Sequence, residues 1–234
     1  LDRAFAALDR AQAHAEANLA DAEALFEAVK SNALADSGND RATVTLADVA
    51  KIETGLVAPQ SDEFTDLLHV GAGNMVTGTD ELTGLKTARD EKLISGKYLF
   101  EPGVVLYSKI RPSLRKVSRP DFRGLCSADV YPLTPRADIL DRDYLFHLLI
   151  GNDFTEYAIS GSGRAGMPKV NRTHLFAYQF ELPSLDVQRR IVAMIDEAHT
   201  SCGVVARLLK GKLEDIKILR QSLLHMAFSG ELTA

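Results

Sequence analysis

The sequence has no tryptophan, two cysteines and eight prolines, and no apolar run long enough to cross a membrane. Cys126 and Cys202 stand too far apart for a metal knuckle and point to a reducing, cytoplasmic setting. No signal-peptide pattern opens the chain. Leu1 stands in the middle of a heptad pattern with no methionine before it, which suggests a fragment of a longer polypeptide. Catalytic signatures are also missing. The glycines of 161–166 precede no Lys-Ser/Thr pair, so a P-loop is excluded. The six histidines form no His-Glu-x-x-His pair, and no metal site is expected. There is no Pro-Pro dipeptide, hence no Asp/Asn-Pro-Pro-aromatic loop of an amino-methyltransferase. No catalytic residue is assigned.

What is present is long helical periodicity at both ends. Pro183 and Ser184 open a helix, with the serine hydroxyl placed to cap. Ile191, Ile195, Ala198, Cys202, Val205, Leu209, Ile216, Leu219, Leu223 and Ala227 then recur on one face, and Gly230 marks the stop. Such a helix is roughly 65 Å long and needs a partner along its length. The partner is the opposite end of the chain. Leu1, Phe5, Leu8, Gln12, Ala15, Leu19, Ala22, Phe26, Val29 and Ala33 keep the four-three alternation of a coiled coil. Residues 1–36 and 184–230 therefore form the two helices of an antiparallel coiled coil, with the charges of the first helix facing water. Its interface residues are Phe5, Leu8, Leu19, Phe26, Val29, Ile191, Ile195, Val205, Leu209, Ile216, Leu219 and Leu223.

Residues 41–183 lie between them, and their period shifts to short strands mixed with helices. Strands are expected at Leu67–Val70, Val104–Ile110, Cys126–Leu133 and Ala177–Leu182, and helices at Asp141–Ile150 and Phe154–Ile159. The class is α+β: one globular mixed domain at the end of a long two-helix coiled coil. An offset carrying Leu1 onto Ile195 also lays the first helix on the last, as in a domain-plus-helix repeat.

Net charge is −5, yet positive charge concentrates on two loops of this domain. Residues 107–123 hold Lys109, Arg111, Arg115, Lys116, Arg119 and Arg123 against Asp121 alone; 160–174 hold Arg164, Lys169 and Arg172 with no acid. A phosphate backbone calls for such a local field. Lys109, Arg115, Lys116 and Lys169 are the candidate phosphate contacts. Arg111, Arg164, Asn171 and Arg172 are the candidate base readers, because arginine pairs with guanine and asparagine with adenine through two bonds each. Ser162 adds a hydrogen-bonding group. Lys109 and Arg111 follow a strand directly, so one of them is expected to turn inward toward a carboxylate. Tyr107, Phe122 and Tyr131 read as core rather than as base-stacking platforms.

Two segments carry a family resemblance. Leu182-Pro183-Ser184-Leu185-Asp186-Val187-Gln188-Arg189-Arg190-Ile191-Val192 and Leu219-Arg220-Gln221-Ser222-Leu223-Leu224-His225-Met226-Ala227-Phe228-Ser229-Gly230-Glu231-Leu232 resemble the helix start and carboxyl end of specificity (S) subunits of type I restriction–modification systems. Leu1 to Phe26, Gly103 to Arg115 and Tyr144-Leu145 are also similar to that family. The resemblance implies the carboxyl-terminal half of such a subunit: central conserved helix, one target-recognition domain and final helix. It implies a non-catalytic part that reads one half of a bipartite double-stranded DNA target. It further implies docking of DNA methyltransferase (modification) subunits, which would hold the S-adenosylmethionine, and a restriction subunit as a further partner. Two copies pairing would restore the missing half. The competing reading is a coiled-coil adaptor whose middle domain binds protein.

Overall fold

The computed structural model describes residues 2–35, 41–53, 55–163 and 168–229. They fall into two compact units, residues 34–192 and the helical segments 1–33 and 193–234, with the boundary inside the last helix. The class is α+β. Gly230 and Arg164 lie outside the described residues.

The helical unit is built from α1 (Asp2–Ala35) and α6 (Leu185–Phe228). Asp9 of α1 bonds Arg220 of α6 at 2.7 Å, while Phe26 packs on His199 with ring centroids 5.3 Å apart. Low numbers meet high ones, so the helices run antiparallel. Along α1 the expected stripe of Phe5, Leu8, Gln12, Ala15, Leu19, Ala22, Phe26, Val29 and Ala33 is shielded, with Ala15 fully buried, and Ala11, Glu27 and Leu34 are half-buried beside it. Lys30 departs from the expectation that the charges of this helix face water. It is buried, with its ammonium 2.7 Å from Glu27 and 5.4 Å above the Phe26 ring.

On α6 the stripe differs from the expected one at two steps. Val205 and Leu219 are 46% and 49% exposed, and Ala206 and Arg220 take their heptad places. Leu213 supplies the turn between Leu209 and Ile216. Arg220, itself 44% exposed, is placed on the seam by its contacts: its guanidinium lies 5.8 Å from the Phe5 ring centroid and pairs with Asp9. Choosing the more apolar neighbour at 205/206 and 219/220 shifts the stripe by one residue, about 100° around the helix. No described helix is long and apolar enough to cross a membrane.

In the second unit, β1 (Arg41–Thr45) pairs antiparallel with β11 (Gln179–Pro183), Arg41 opposite Pro183, which sets entry and exit side by side. Between them lie α2 (Leu46–Val49), β2 (Ala50–Lys51), β3 (Leu56–Val57), β4 (Leu68–Val70), β5 (Lys86–Thr87), β6 (Lys97–Phe100), β7 (Val105–Ser108), β8 (Val117–Ser118), β9 (Gly124–Cys126) and β10 (Val130–Pro135). The helices α3 (Arg142–Ile150), α4 (Asn152–Ser160) and α5 (Arg172–Phe176) follow. One sheet has the order β2-β10-β7-β8, the other β3-β6-β9-β4-β5. Phe100, Leu106, Cys126 and Val130 share one buried cluster, against which Phe122 packs. Tyr107 meets Phe154 edge-on at 5.4 Å, tying β7 to α4. The strand expected over Cys126–Leu133 is two strands, in different sheets, separated by a turn at 127–129. Alternation continues through the break, so periodicity alone does not reveal it.

His69 on β4 is buried and bonds Glu91 through Nδ1 at 2.7 Å, while its Nε2 has no hydrogen-bond partner. Burial pushes its imidazole below the ordinary 6.5, and outweighs Glu91, which pulls the other way. The folded state therefore binds this proton less readily than the unfolded chain. The stability it contributes is complete above about pH 6.5 and lost as pH falls from there toward the lower folded value. Melting curves at pH 7.5 and 5.5 should show the acid loss, and His69→Gln should shrink it; an unchanged difference would remove His69 as its source.

Candidate nucleic-acid interface

The two basic segments, far apart in sequence, meet edge to edge. Arg111 N donates to Pro168 O at 2.9 Å and Val170 N to Lys109 O at 2.9 Å, an antiparallel bridge of Ile110 with Lys169. The turn that separates β9 from β10 completes the junction. Lys109 N donates to Asp129 O at 3.0 Å, and the Lys109 ammonium donates to Ala128 O at 2.8 Å and pairs with the Asp129 carboxylate at 3.0 Å. Lys169 reaches the same carboxylate at 3.4 Å. Burial works to raise the Asp129 carboxyl, but the two ammonium groups outweigh it and hold it below the usual carboxylate range. Lys109 is thus the inward member of the Lys109/Arg111 pair.

Beside this cluster opens a depression of about 300 Å³ lined by Lys109, Tyr131, Ser162, Lys169 and Asn171 among others. Its wall is stiff. His174 stacks on Tyr157 with centroids 4.1 Å apart and planes 6° from parallel. His174 Nε2 donates to Tyr157 O at 2.8 Å, and the Tyr157 hydroxyl donates back to His174 O at 2.8 Å. Gly161 has to be glycine: a Cβ there would overlap the His174 ring. Arg111 and Arg115 flank a 3-10 turn at Pro112–Leu114, both in the left-handed region at φ 49° and 46°. Non-glycine residues held there store about 1–3 kcal/mol each and cluster at functional surfaces.

The expected interface residues divide accordingly. Arg111, Asn171 and Arg172 are exposed on this surface, and Arg115 and Lys169 half so. Arg172 donates to the Tyr98 hydroxyl at 3.4 Å. Lys109 and Lys116 are committed internally, Lys116 donating to Ala72 O at 2.6 Å. Ser162 is 5% exposed and directs its hydroxyl to Ile159 O at 2.7 Å, closing the end of α4. Asn171 caps α5, its Oδ1 accepting from His174 N at 2.8 Å.

The basic density counted along the chain is also lower in space. Arg119 pairs with Asp80 at 2.8 Å and Asp143 at 3.0 Å and lies 4.5 Å from the Phe146 ring centroid. Arg123 pairs with Glu101 at 2.9 Å and Glu63 at 3.4 Å. These carboxylates come from distant segments, which no local charge count registers. Asp129 and Tyr98 are the residues that the sequence reading missed. A lone aspartate inside an apparent strand was the one available signal for the turn. Among the described residues no group of His, Cys, Asp and Glu could hold a metal ion.

Comparison with known proteins identifies the family. Residues 39–204 match the family described as "Type I restriction modification DNA specificity domain". The chain is 32% identical over 186 residues to the type I restriction enzyme EcoDI specificity subunit of Escherichia coli, covering 80% of this chain and 41% of that subunit. It is 28% identical over 119 residues to the StySPI specificity subunit of Salmonella potsdam, covering 50% and 25% respectively. The chain thus spans less than half the length of these curated relatives. A chain from a structural study of complex assembly and conformational transition of the type I R-M system superposes with a TM-score of 0.76 at 20% identity, covering 97% of this chain and 56% of that one. The HsdS subunit from Thermoanaerobacter tengcongensis superposes at 0.62 and 20% identity, covering 98% and 57%. With the match running through the paired basic segments and on into the last helix, the chain belongs to the type I restriction modification DNA specificity domain family.

Proposed function

We propose that this chain reads one half of a bipartite double-stranded DNA target and performs no chemistry itself. The observation that carries the reading is the bridge joining residues 109–111 to 168–170, which gathers Arg111, Lys169, Asn171 and Arg172 on one surface. Donors gathered in this way match a phosphate backbone and the acceptors of the major groove. DNA methyltransferase subunits, with their S-adenosylmethionine, dock on the helix pair. In support, α6 leaves large apolar side chains outward after pairing, with Leu208 69% and Ile218 53% exposed. A second copy, or a second recognition domain, supplies the other half-target.

The test is charge reversal at Lys169 and Arg172 together, read by duplex titration across salt concentrations. Affinity should fall about 100-fold near 100 mM salt, and the log–log salt slope should flatten by about two. The melting temperature should fall by only a few degrees, because Arg172 is exposed and Lys169 half-exposed, although the reversal turns the Lys169–Asp129 pair into a repulsion. Unchanged affinity would favour a protein-binding adaptor instead.

A further inference from the structure

Three long side chains turned outward on this surface carry the same kind of hydrogen-bonding group. Arg111, Lys169 and Arg172 can only donate. Asn171 is expected from its chemistry to read adenine, which needs its amide oxygen and nitrogen side by side at the base edge. In the structure that oxygen is already engaged by a cap. A backbone N–H requires an acceptor, so the atom 2.8 Å from His174 N is Oδ1, pointing back into the first turn of α5. An approaching base meets the Nδ2 corner, a donor. The neighbouring carboxylate, Asp129, already holds Lys109 at 3.0 Å and Lys169 at 3.4 Å. Arg172 follows the capped residue directly, and its contact with Tyr98 at 3.4 Å engages one terminal nitrogen and leaves the others open.

We infer that this surface selects guanine over adenine, with Arg172 as the two-bond reader, Asn171 as a donor-only neighbour and Tyr98 as the residue positioning Arg172. Guanine shows two adjacent acceptors in the major groove, N7 and O6, whereas adenine places an amino donor beside its N7. The donors of Arg172 and the Asn171 amide nitrogen meet the first edge and are mismatched to the amino group of the second. The inference rests on the DNA-reading function proposed above and narrows it to one base.

The full chain, reconstituted with a methyltransferase subunit, would be used to enrich duplexes from a randomised pool, alongside Asn171→Asp and Arg172→Ala. Asn171→Asp preserves the cap oxygen, since aspartate caps as well as asparagine, but exchanges the outward donor for an acceptor. The wild-type pool should hold a fixed guanine whose selection Arg172→Ala erases. Replacing that guanine by 7-deazaguanine should weaken binding about ten-fold, while inosine, with the same major-groove edge, should not. Asn171→Asp should lower the preference for an acceptor at the adjacent position and admit cytosine. An adenine whose selection disappears in Asn171→Asp, or a guanine indifferent to both variants, would overturn the inference while leaving DNA reading intact. Enrichment of nothing by the wild type would remove the DNA-reading function, and this inference with it.

Discussion

Gln188→Leu should unfold the recognition unit at a temperature about 10 °C lower, although leucine nearly matches glutamine in volume. Gln188 is fully buried in the first turns of α6. Its Oε1 accepts from Asp141 N at 2.8 Å, and its Nε2 donates to Ile139 O at 2.8 Å and Pro183 O at 2.7 Å. One amide therefore joins the cap of α3, the loop before it and the end of β11. Leucine would leave three backbone groups without partners, each costing about 1–3 kcal/mol in the interior. Partial relaxation and water entry bring the expected total to about 3–5 kcal/mol, and a unit of this size shifts about 2–4 °C per kcal/mol. Thermal melting and urea titration would measure it. A shift under about 2 °C would mean that water replaces the amide, and that the glutamine in Leu182–Val192 is not there to hold these segments.

Ile216→Asp should melt the helix pair while Leu219→Asp leaves it nearly intact. Ile216 is 8% exposed and Leu219 49%. A carboxylate at 216 is desolvated against α1 without a designed partner, a cost of about 3 kcal/mol or more, whereas one at 219 stands in water and changes stability by about 0.5 kcal/mol. Circular dichroism at 222 nm, followed through heating, separates the two. Equal losses would restore the expected stripe through Leu219 and refute the register with Arg220 at the interface. If Leu219 serves docking, its aspartate variant should lose methyltransferase binding without losing helix.

Much of this was legible in the sequence because it depends on local period. The four-three alternation of α1 picks out shielded residues from Phe5 to Ala33, since a helix repeats its own face, but it does not reveal Lys30, which is buried off that stripe. The α+β character and the positions of β4, β7, α3 and α4 follow from the same local signals. The resemblance carried by Leu182–Val192 and by the end of α6 pointed to the family that residues 39–204 then matched.

Tertiary structure decided what period leaves degenerate. At 205/206 and 219/220 two neighbours both satisfy an apolar or amphipathic demand, and only the facing helix, with Phe5 and Asp9 opposite, selects Arg220 over Leu219. Charge was likewise countable but not placeable. Arg119 and Arg123 look like members of a basic run until Asp80, Asp143, Glu63 and Glu101 arrive from other segments. Asn171 has the composition of an adenine reader, yet a backbone amide three residues on takes its oxygen. Periodicity is a property of one segment and survives in the string of letters. Which side chain faces which partner depends on segments far apart in that string, so it exists only once the chain has closed on itself.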